Sequence, residues 1–262
     1  MNILGTMTYS KLEDLIIEDW TWRKKEISDL ILIAEKEENK VLLKSIILLL
    51  YAHWEGYIKK TSKSYIKYVV DNKHKISDLT QNFRAICLKG LSSEVLKSSS
   101  TLNISNEMKL ISRFNELDGI PLNKIIKIDL DNNKDKSLIN THDNLNPSVF
   151  RNIHEIIGLS YKKQYEAREK FIENHLLANR NSIGHGSKEL QLAEGFDLEI
   201  ISIKKMRDII ISIIENFRDE ILEYSREAYF LQSNLDKTTN FLEIMENKLE
   251  ASFKEIETRY KV

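Results

Sequence analysis

Residues 48–60 read Leu48-Leu49-Leu50-Tyr51-Ala52-His53-Trp54-Glu55-Gly56-Tyr57-Ile58-Lys59-Lys60. Working outward from them, Leu43, Ile47, Leu50, Trp54, Ile58 and Tyr65 recur at spacings of three, four and seven. That is the period of one helix face, and it predicts a helix over 39–70. Lys59, Lys60, Lys63 and Lys67 fall on or beside the opposite face. Upstream, Leu12, Leu15, Ile16, Trp20, Ile27, Leu30 and Ile31 keep the same period and predict a helix over 9–37. Only a short polar stretch near Glu37 to Lys40 separates the two, so they read as an antiparallel hairpin.

Composition agrees with a helical chain. Gly and Pro together number 10 in 262 residues, far fewer than usual, which favours long uninterrupted helices. Hydrophobic residues at 42% and charged residues at 30% exclude the collagen-like, disulfide-rich and disordered classes. The net charge is -1, so the chain is not a globally basic nucleic-acid binder, although a local basic patch is compatible with it. Cys87 stands alone and calls for no oxidising compartment. No basic segment followed by an apolar run opens the chain, and the apolar stretch around 45–51 is too short to span a membrane. A cytoplasmic protein is the expectation.

Downstream, 73–146 reads as a partly irregular insertion or cap. It holds a helical piece around 106–117, a turn at Asp118-Gly119-Ile120-Pro121, and a segment at 125–130 that fits either a short strand or a helix end. Asn146-Pro147 begins a helix that should end at Gly158. Another helix is predicted from about Tyr161 to Arg180 or beyond, broken by Gly184 and Gly186. A helix over about 202–231 follows a loop through Gly195. The organisation expected is a helical domain over 1–231 and a C-terminal helix over 232–262, packing on the bundle or on a partner. The fold class is all-α.

Within Leu176-Leu177-Ala178-Asn179-Arg180-Asn181-Ser182-Ile183-Gly184-His185-Gly186 lies the pattern Arg-Asn-x3-His. The two residue types suit metal-free RNA cleavage. A ribose 2′-hydroxyl attacks the adjacent phosphate, one group takes its proton and another assists the leaving 5′-oxygen. Histidine serves either role near neutral pH. Arginine offers a planar donor fork to the phosphate oxygens where charge develops, and Asn181 can add a donor or hold the ribose. Five residues along a helix turn the side-chain direction by about 140°, so Arg180 and His185 do not share a face of an unbroken helix. Either Gly184 releases the chain, or two subunits each give one pair to a shared cleft. The spacing alone is weak: ten arginines and six histidines in 262 residues make it close to a chance event, and Arg168 with His175 is a second match. That second pair reads as a solvated or interface face.

Residues 48–60, with Tyr65, resemble the second helix of one branch of the HEPN superfamily, the prokaryotic HEPN ribonucleases encoded in conflict and toxin–antitoxin-like operons. Arg180-Asn181-x3-His185 followed by Gly186 is similar to its catalytic motif. Thr141-His142-Asp143-Asn144-Leu145, with the helix ending Ile156-Ile157-Gly158-Leu159, also looks like this branch. The resemblance covers roughly residues 10 to 230, with its two main anchors in the expected order.

It implies an HEPN-type helical bundle that dimerises, the arginine and histidine of both subunits facing one cleft. It implies a metal-independent endoribonuclease leaving 2′,3′-cyclic phosphate and 5′-hydroxyl ends, in a toxin or phage-defence setting, with no cofactor. The implied catalytic pair is Arg180 and His185, with Asn181 in support. The implied partners are an RNA substrate, a second copy or another HEPN protein, and an antitoxin or regulator. Some HEPN toxins carry a modifiable tyrosine two residues after the histidine. Ser187 stands there, which puts control by that route in doubt. A catalytically silent HEPN subunit that binds RNA or a partner HEPN protein is the alternative, and a purely structural helical protein is a further one.

Other residues carry two readings each. His53 or Glu55 can line the cleft and orient the pair. Otherwise Glu55 pairs with Lys59 and His53 is half-buried beside Tyr57. Lys59, Lys60 and Lys63 can form a strip for an RNA backbone, or simply a solvated face. Trp54 and Trp20 read as core, and Trp22 as an interface residue. His74, His142 and His154 lack metal-ligand spacing, and there is no Walker loop and no Gly-x-Gly-x-x-Gly.

Overall fold

Asn39 sits in an extended conformation and its side chain accepts the Val41 N–H at 2.8 Å, which starts helix α2 (Lys40–Asp71) directly after α1 (Tyr9–Glu37). A computed structural model describes residues 6–37, 39–97, 104–132, 138–186 and 197–261. Three tertiary pairs show that α1 and α2 run antiparallel. The Met7 N–H meets Asp71, Asp19 meets Lys60, and Arg23 meets His53. The expected stripe is buried as predicted, with Leu43, Ile47, Leu50, Trp54, Ile58 and Tyr65 all in the core.

Helix α9 (Ile200–Arg226) completes the central layer. Trp20 and Lys24 of α1 bond Glu215, and Lys204 bonds Glu35, so α9 is antiparallel to α1. Its inward face is a run of isoleucines, Ile203 to Ile221, with Phe217 between them. Helix α10 (Thr238–Arg259) packs back along α9, tied by Asn216 to the Met245 carbonyl at 3.0 Å and by Ser212 to Ser252 at 2.8 Å.

Among the described residues there is no strand, and the all-α class holds. Helices α3 (Gln81–Lys97) and α4 (Ser105–Leu117) form a pair inside the stretch expected to be irregular. Gly90 and the serines around it interrupt the apolar period of α3, which hides it from a pattern reading. The segment 125–130, which follows a single 3-10 turn at Leu122–Lys124, is neither strand nor helix. The serine run 98–100, residues 133–136 of the expected polar loop, and Ser187 lie outside the described residues.

Helix α5 (Pro147–Ile157) begins and ends where its sequence says. Asn146 caps the Val149 N–H at 2.9 Å, Pro147 takes the first turn, and Gly158 closes it at φ 78°. A Cβ on Gly158 would also lie 2.7 Å from the Asn82 side chain, which bonds the Ile156 carbonyl.

The helix expected from Tyr161 onward is not continuous. It runs as α6 (Lys163–Glu166), α7 (Glu169–Phe171), a π-helical segment Ile172–Leu177, and α8 (Ala178–Gly184). The wider π turn re-aims every side chain after it. Gly184 is itself helical, and the break comes at Gly186, whose φ is 73°.

Helix α2 has an 18-residue window apolar enough to cross a membrane, longer than the sequence pattern suggested, and half of that window is buried inside the bundle. Its apolarity follows from its place: it packs against α1, α5, α8 and α9.

Candidate functional site

Arg180 lies one turn into α8, and three neutral groups hold its guanidinium. One nitrogen donates to Asn181 Oδ1 at 2.7 Å, another donates to the Asp143 carbonyl at 3.0 Å, and the Tyr51 ring lies 4.2 Å beneath. Among the described residues Arg180 has no carboxylate at ion-pair distance. These contacts leave its guanidinium partly exposed in a fixed seat.

The seat is built by α2. Tyr51, Trp54 and Glu55 each bond the segment 138–146 that crosses over them. The Tyr51 hydroxyl accepts the Leu145 N–H at 2.9 Å, Trp54 Nε1 donates to the Leu145 carbonyl at 3.2 Å, and the Thr141 hydroxyl donates to Glu55. Ile139 and Leu145 plug into the core on either side. Between them His142 and Asp143 both adopt left-handed backbone, at φ 53° and 55°. That conformation costs non-glycine residues on the order of 1 kcal/mol each. Here it turns the Asp143 carbonyl toward Arg180. Burial, and after it the Glu55 carboxylate, hold the Tyr51 phenol above its ordinary range, so it stays protonated.

His185 follows the last residue of α8. Its backbone N–H bonds the Asn181 carbonyl at 3.0 Å, and the side chain is exposed. Among the described residues its imidazole has no hydrogen-bond partner. Helix α8 runs through Gly184, so the chain is not released at that residue, and Arg180 and His185 lie about 140° apart in helical rotation.

Glu55 belongs to this cluster through Thr141. His53 does not. Two residues earlier on α2, it is buried against α1, with Nδ1 3.2 Å from Arg23, Nε2 2.8 Å from Glu26 and its ring edge-on to Trp22 at 5.2 Å. A supporting role for His53 beside Arg180 is therefore corrected: the 200° turn between the two faces of α2 sends it elsewhere. Burial and the Arg23 charge lower its pKa, against the opposing pull of Glu26.

Trp54 and Trp20 are core residues, as expected, while Trp22 is 47% exposed. Arg168 bonds Glu257 of α10 and lies over Phe253 at 4.8 Å, and His175 stacks on Phe171 at 4.5 Å. Lys59, Lys60 and Lys63 line a groove between α1 and α2 of about 1000 Å³. Among the described residues no group of three or more His, Cys, Asp or Glu side chains is placed to hold a metal.

The family model of the MAE_28990-like HEPN proteins matches residues 12–230, more than four-fifths of the chain. The chain belongs to this HEPN family. The match takes in α1 to α9, and with them the Arg180 seat, while α10 lies beyond it. Comparison with curated proteins and with solved structures gives no match. Sequence reasoning quoted Tyr51, Thr141 and Asp143 only as part of the HEPN resemblance and gave them no role. The available signal was the i, i+4 spacing of Tyr51 and Glu55, which places an aromatic ring and a carboxylate on one stripe of α2.

Proposed function

We propose that this HEPN protein is a metal-independent endoribonuclease of a toxin or phage-defence system, acting in the cytoplasm as a dimer with a composite site. The observation that carries the reading is the seat of Arg180: a guanidinium oriented by the Asp143 carbonyl, Asn181 and the Tyr51 ring, with no carboxylate among the described residues at ion-pair distance. Two of its donors are engaged, and the remainder of the fork suits the non-bridging oxygens of a phosphodiester.

In the reaction the ribose 2′-oxygen forms a bond to phosphorus and gives its proton to a base. The bond to the 5′-oxygen breaks, and that oxygen takes a proton from an acid. The products are a 2′,3′-cyclic phosphate and a 5′-hydroxyl. His185 serves as the base or the acid, and Arg180 neutralises the charge that builds on the phosphate. In this reading the histidine that works beside Arg180 comes from a second copy or from another HEPN protein, which fits the position of His185 just beyond α8 and five residues from Arg180. An antitoxin or regulatory partner would restrain the activity.

The test is cleavage of RNA by purified protein in excess EDTA, beside His185→Ala, with the product ends identified. Cleavage that survives the chelator, gives cyclic phosphate ends and vanishes in the variant supports the reading. Metal-dependent cleavage, or cleavage unchanged by the substitution, sinks it. The imidazole of His185, exposed and without a hydrogen-bond partner among the described residues, favours one other reading, a silent HEPN subunit that binds RNA or a partner HEPN protein. It predicts binding without cleavage even at concentrations where the protein is dimeric.

A further inference from the structure

Cleavage by 2′-hydroxyl attack moves two protons, one off the attacking oxygen and one onto the leaving oxygen, so it calls for two proton-transfer groups. His185 supplies one of them. The chain has six histidines, and four are withdrawn from solvent. His53 lies between Arg23 and Glu26, and His154 bonds the Phe150 carbonyl at 2.8 Å. His74 and His175 are half-buried against Phe230 and Phe171. His142 and His185 are the two exposed histidines, and both flank Arg180. His185 follows it by five positions. His142 precedes by one residue the Asp143 carbonyl that the guanidinium bonds at 3.0 Å. The path from the His142 Cα through that carbonyl to the Arg180 nitrogen is no more than about 10 Å, so a phosphodiester seated on the guanidinium lies next to residue 142.

Residue 142 stands on a tight turn. The Asn144 N–H donates to the Thr141 carbonyl at 2.9 Å, and the His142 N–H donates to Asn140 Oδ1 at 2.8 Å. Both central residues, His142 and Asp143, have positive φ. A turn with that backbone favours Asn-Gly or Gly-Gly, because those residues adopt it at little steric cost. This chain places a histidine and an aspartate there and holds them by what flanks them. Ile139, Thr141 and Leu145 are buried, and Thr141 bonds Glu55 of α2. A costly backbone conformation kept in place by its surroundings is a feature of functional sites. Here it sets the Asp143 carbonyl on Arg180 and at the same time leaves His142 exposed at the edge of the same seat. Among the described residues the His142 imidazole has no hydrogen-bond partner. The titratable and charged groups assembled about the turn are Asp143 itself, Tyr51 and Glu55 of α2, and Arg180 of α8, with His185 just beyond.

We infer that His142 is a further catalytic residue of the Arg180 site, the second proton-transfer group of the cleavage. It exchanges a proton directly with the RNA. Where His185 takes the proton of the 2′-hydroxyl, His142 gives one to the 5′-oxygen as its bond to phosphorus breaks. Where His185 is the acid, His142 is the base. Each site then combines Arg180 and His142 of one chain with His185 of a second copy or of another HEPN protein. The assignment rests on the ribonuclease reading above.

The experiment compares the full chain with His142→Asn and His185→Ala, following cleavage of a fluorophore–quencher RNA in excess EDTA from about pH 5 to 9. Asparagine suits a turn position with positive φ, so His142→Asn should keep or raise the thermal midpoint, and a loss of rate is then not a loss of fold. Its kcat should fall about 10²- to 10⁴-fold with KM changed little. The bell-shaped dependence of rate on pH should lose one of its two limbs, and imidazole added to the buffer should restore part of the rate. A residue that only shaped the turn would show neither of these last two effects. Cleavage by His142→Asn close to the wild-type rate overturns the assignment, and so does a loss that leaves both limbs in place. If the wild type cleaves, His185→Ala does not, and His142→Asn matches the wild type, the ribonuclease reading stands and this assignment alone fails. If the wild type does not cleave, the ribonuclease reading fails and the assignment falls with it.

Discussion

Arg168 with His175 and Arg180 with His185 are the same two residue types in one short stretch, and the bundle treats them oppositely. Arg168 meets a carboxylate of α10, Glu257, and lies on the Phe253 ring; His175 stacks on Phe171 and is pushed below its ordinary pKa by burial and the Lys205 charge. Both pack against other side chains of the bundle. Among the described residues Arg180 meets neutral acceptors and an aromatic face, and His185 is exposed. On the proposed reading, neutralisation separates the structural Arg168 from the functional Arg180, and spacing along the chain does not.

The largest effect expected from breaking this contrast is on activity. Arg180→Ala should lower the cleavage rate by about 10²- to 10³-fold with the thermal midpoint nearly unchanged. Arg168→Ala should leave cleavage within a few-fold of wild type. Rates measured side by side decide it: equal losses in both would erase the distinction.

The next effect is on stability against pH. His154 is buried among Phe150, Tyr161, Tyr165 and Phe217, and burial pulls its pKa down to about 3. His175 is lowered in the same direction. The unfolded chain binds these protons more readily than the fold does. Stability is therefore full above the unfolded value of about 6.5 and falls as pH drops below it, by up to about 1.4 kcal/mol per pH unit for each such histidine. Denaturant midpoints at pH 7.5, 6 and 5 should decline in order, and His175→Gln should flatten part of the decline. No decline would mean that these histidines are protonated in the fold.

Tyr51→Phe sharpens the comparison from the side of the seat. It strands the buried Leu145 N–H at a cost of about 1–3 kcal/mol and loosens the carbonyl that holds Arg180. Cleavage should fall together with stability, and a stable variant with full activity would show that the seat is not needed. The smallest effect is the stability loss in Arg168→Ala itself, about 1 kcal/mol from a partly exposed ion pair and its stacking, read as a shift in the denaturant midpoint.

Much of the architecture is legible along the chain because helical burial repeats every few residues. The α1–α2 hairpin, the isoleucine face of α9 and the caps of α5 follow from patterns in which one residue speaks for its neighbours. Helix α3 escapes that reading because Gly90 and nearby serines blur its period. The π segment at Ile172–Leu177 escapes it as well, since its residues fit an α-helix equally well and only packing selects the wider turn.

For the site, the sequence by itself determined the two residue types, Arg180 and His185, their separation by five positions and the helix that carries the first of them. It also carries the match to the HEPN family over residues 12–230. Only the tertiary structure decided that Glu55 lies with Thr141 in the seat of Arg180 while His53 lies with Arg23 and Glu26 against α1. Only it placed Tyr51 beneath the guanidinium and turned the Asp143 carbonyl toward it. The physical reason is that periodicity fixes which face of a helix a residue occupies, but not which other element covers that face. Whether an arginine meets a carboxylate, a carbonyl or open water is settled by residues dozens of positions away.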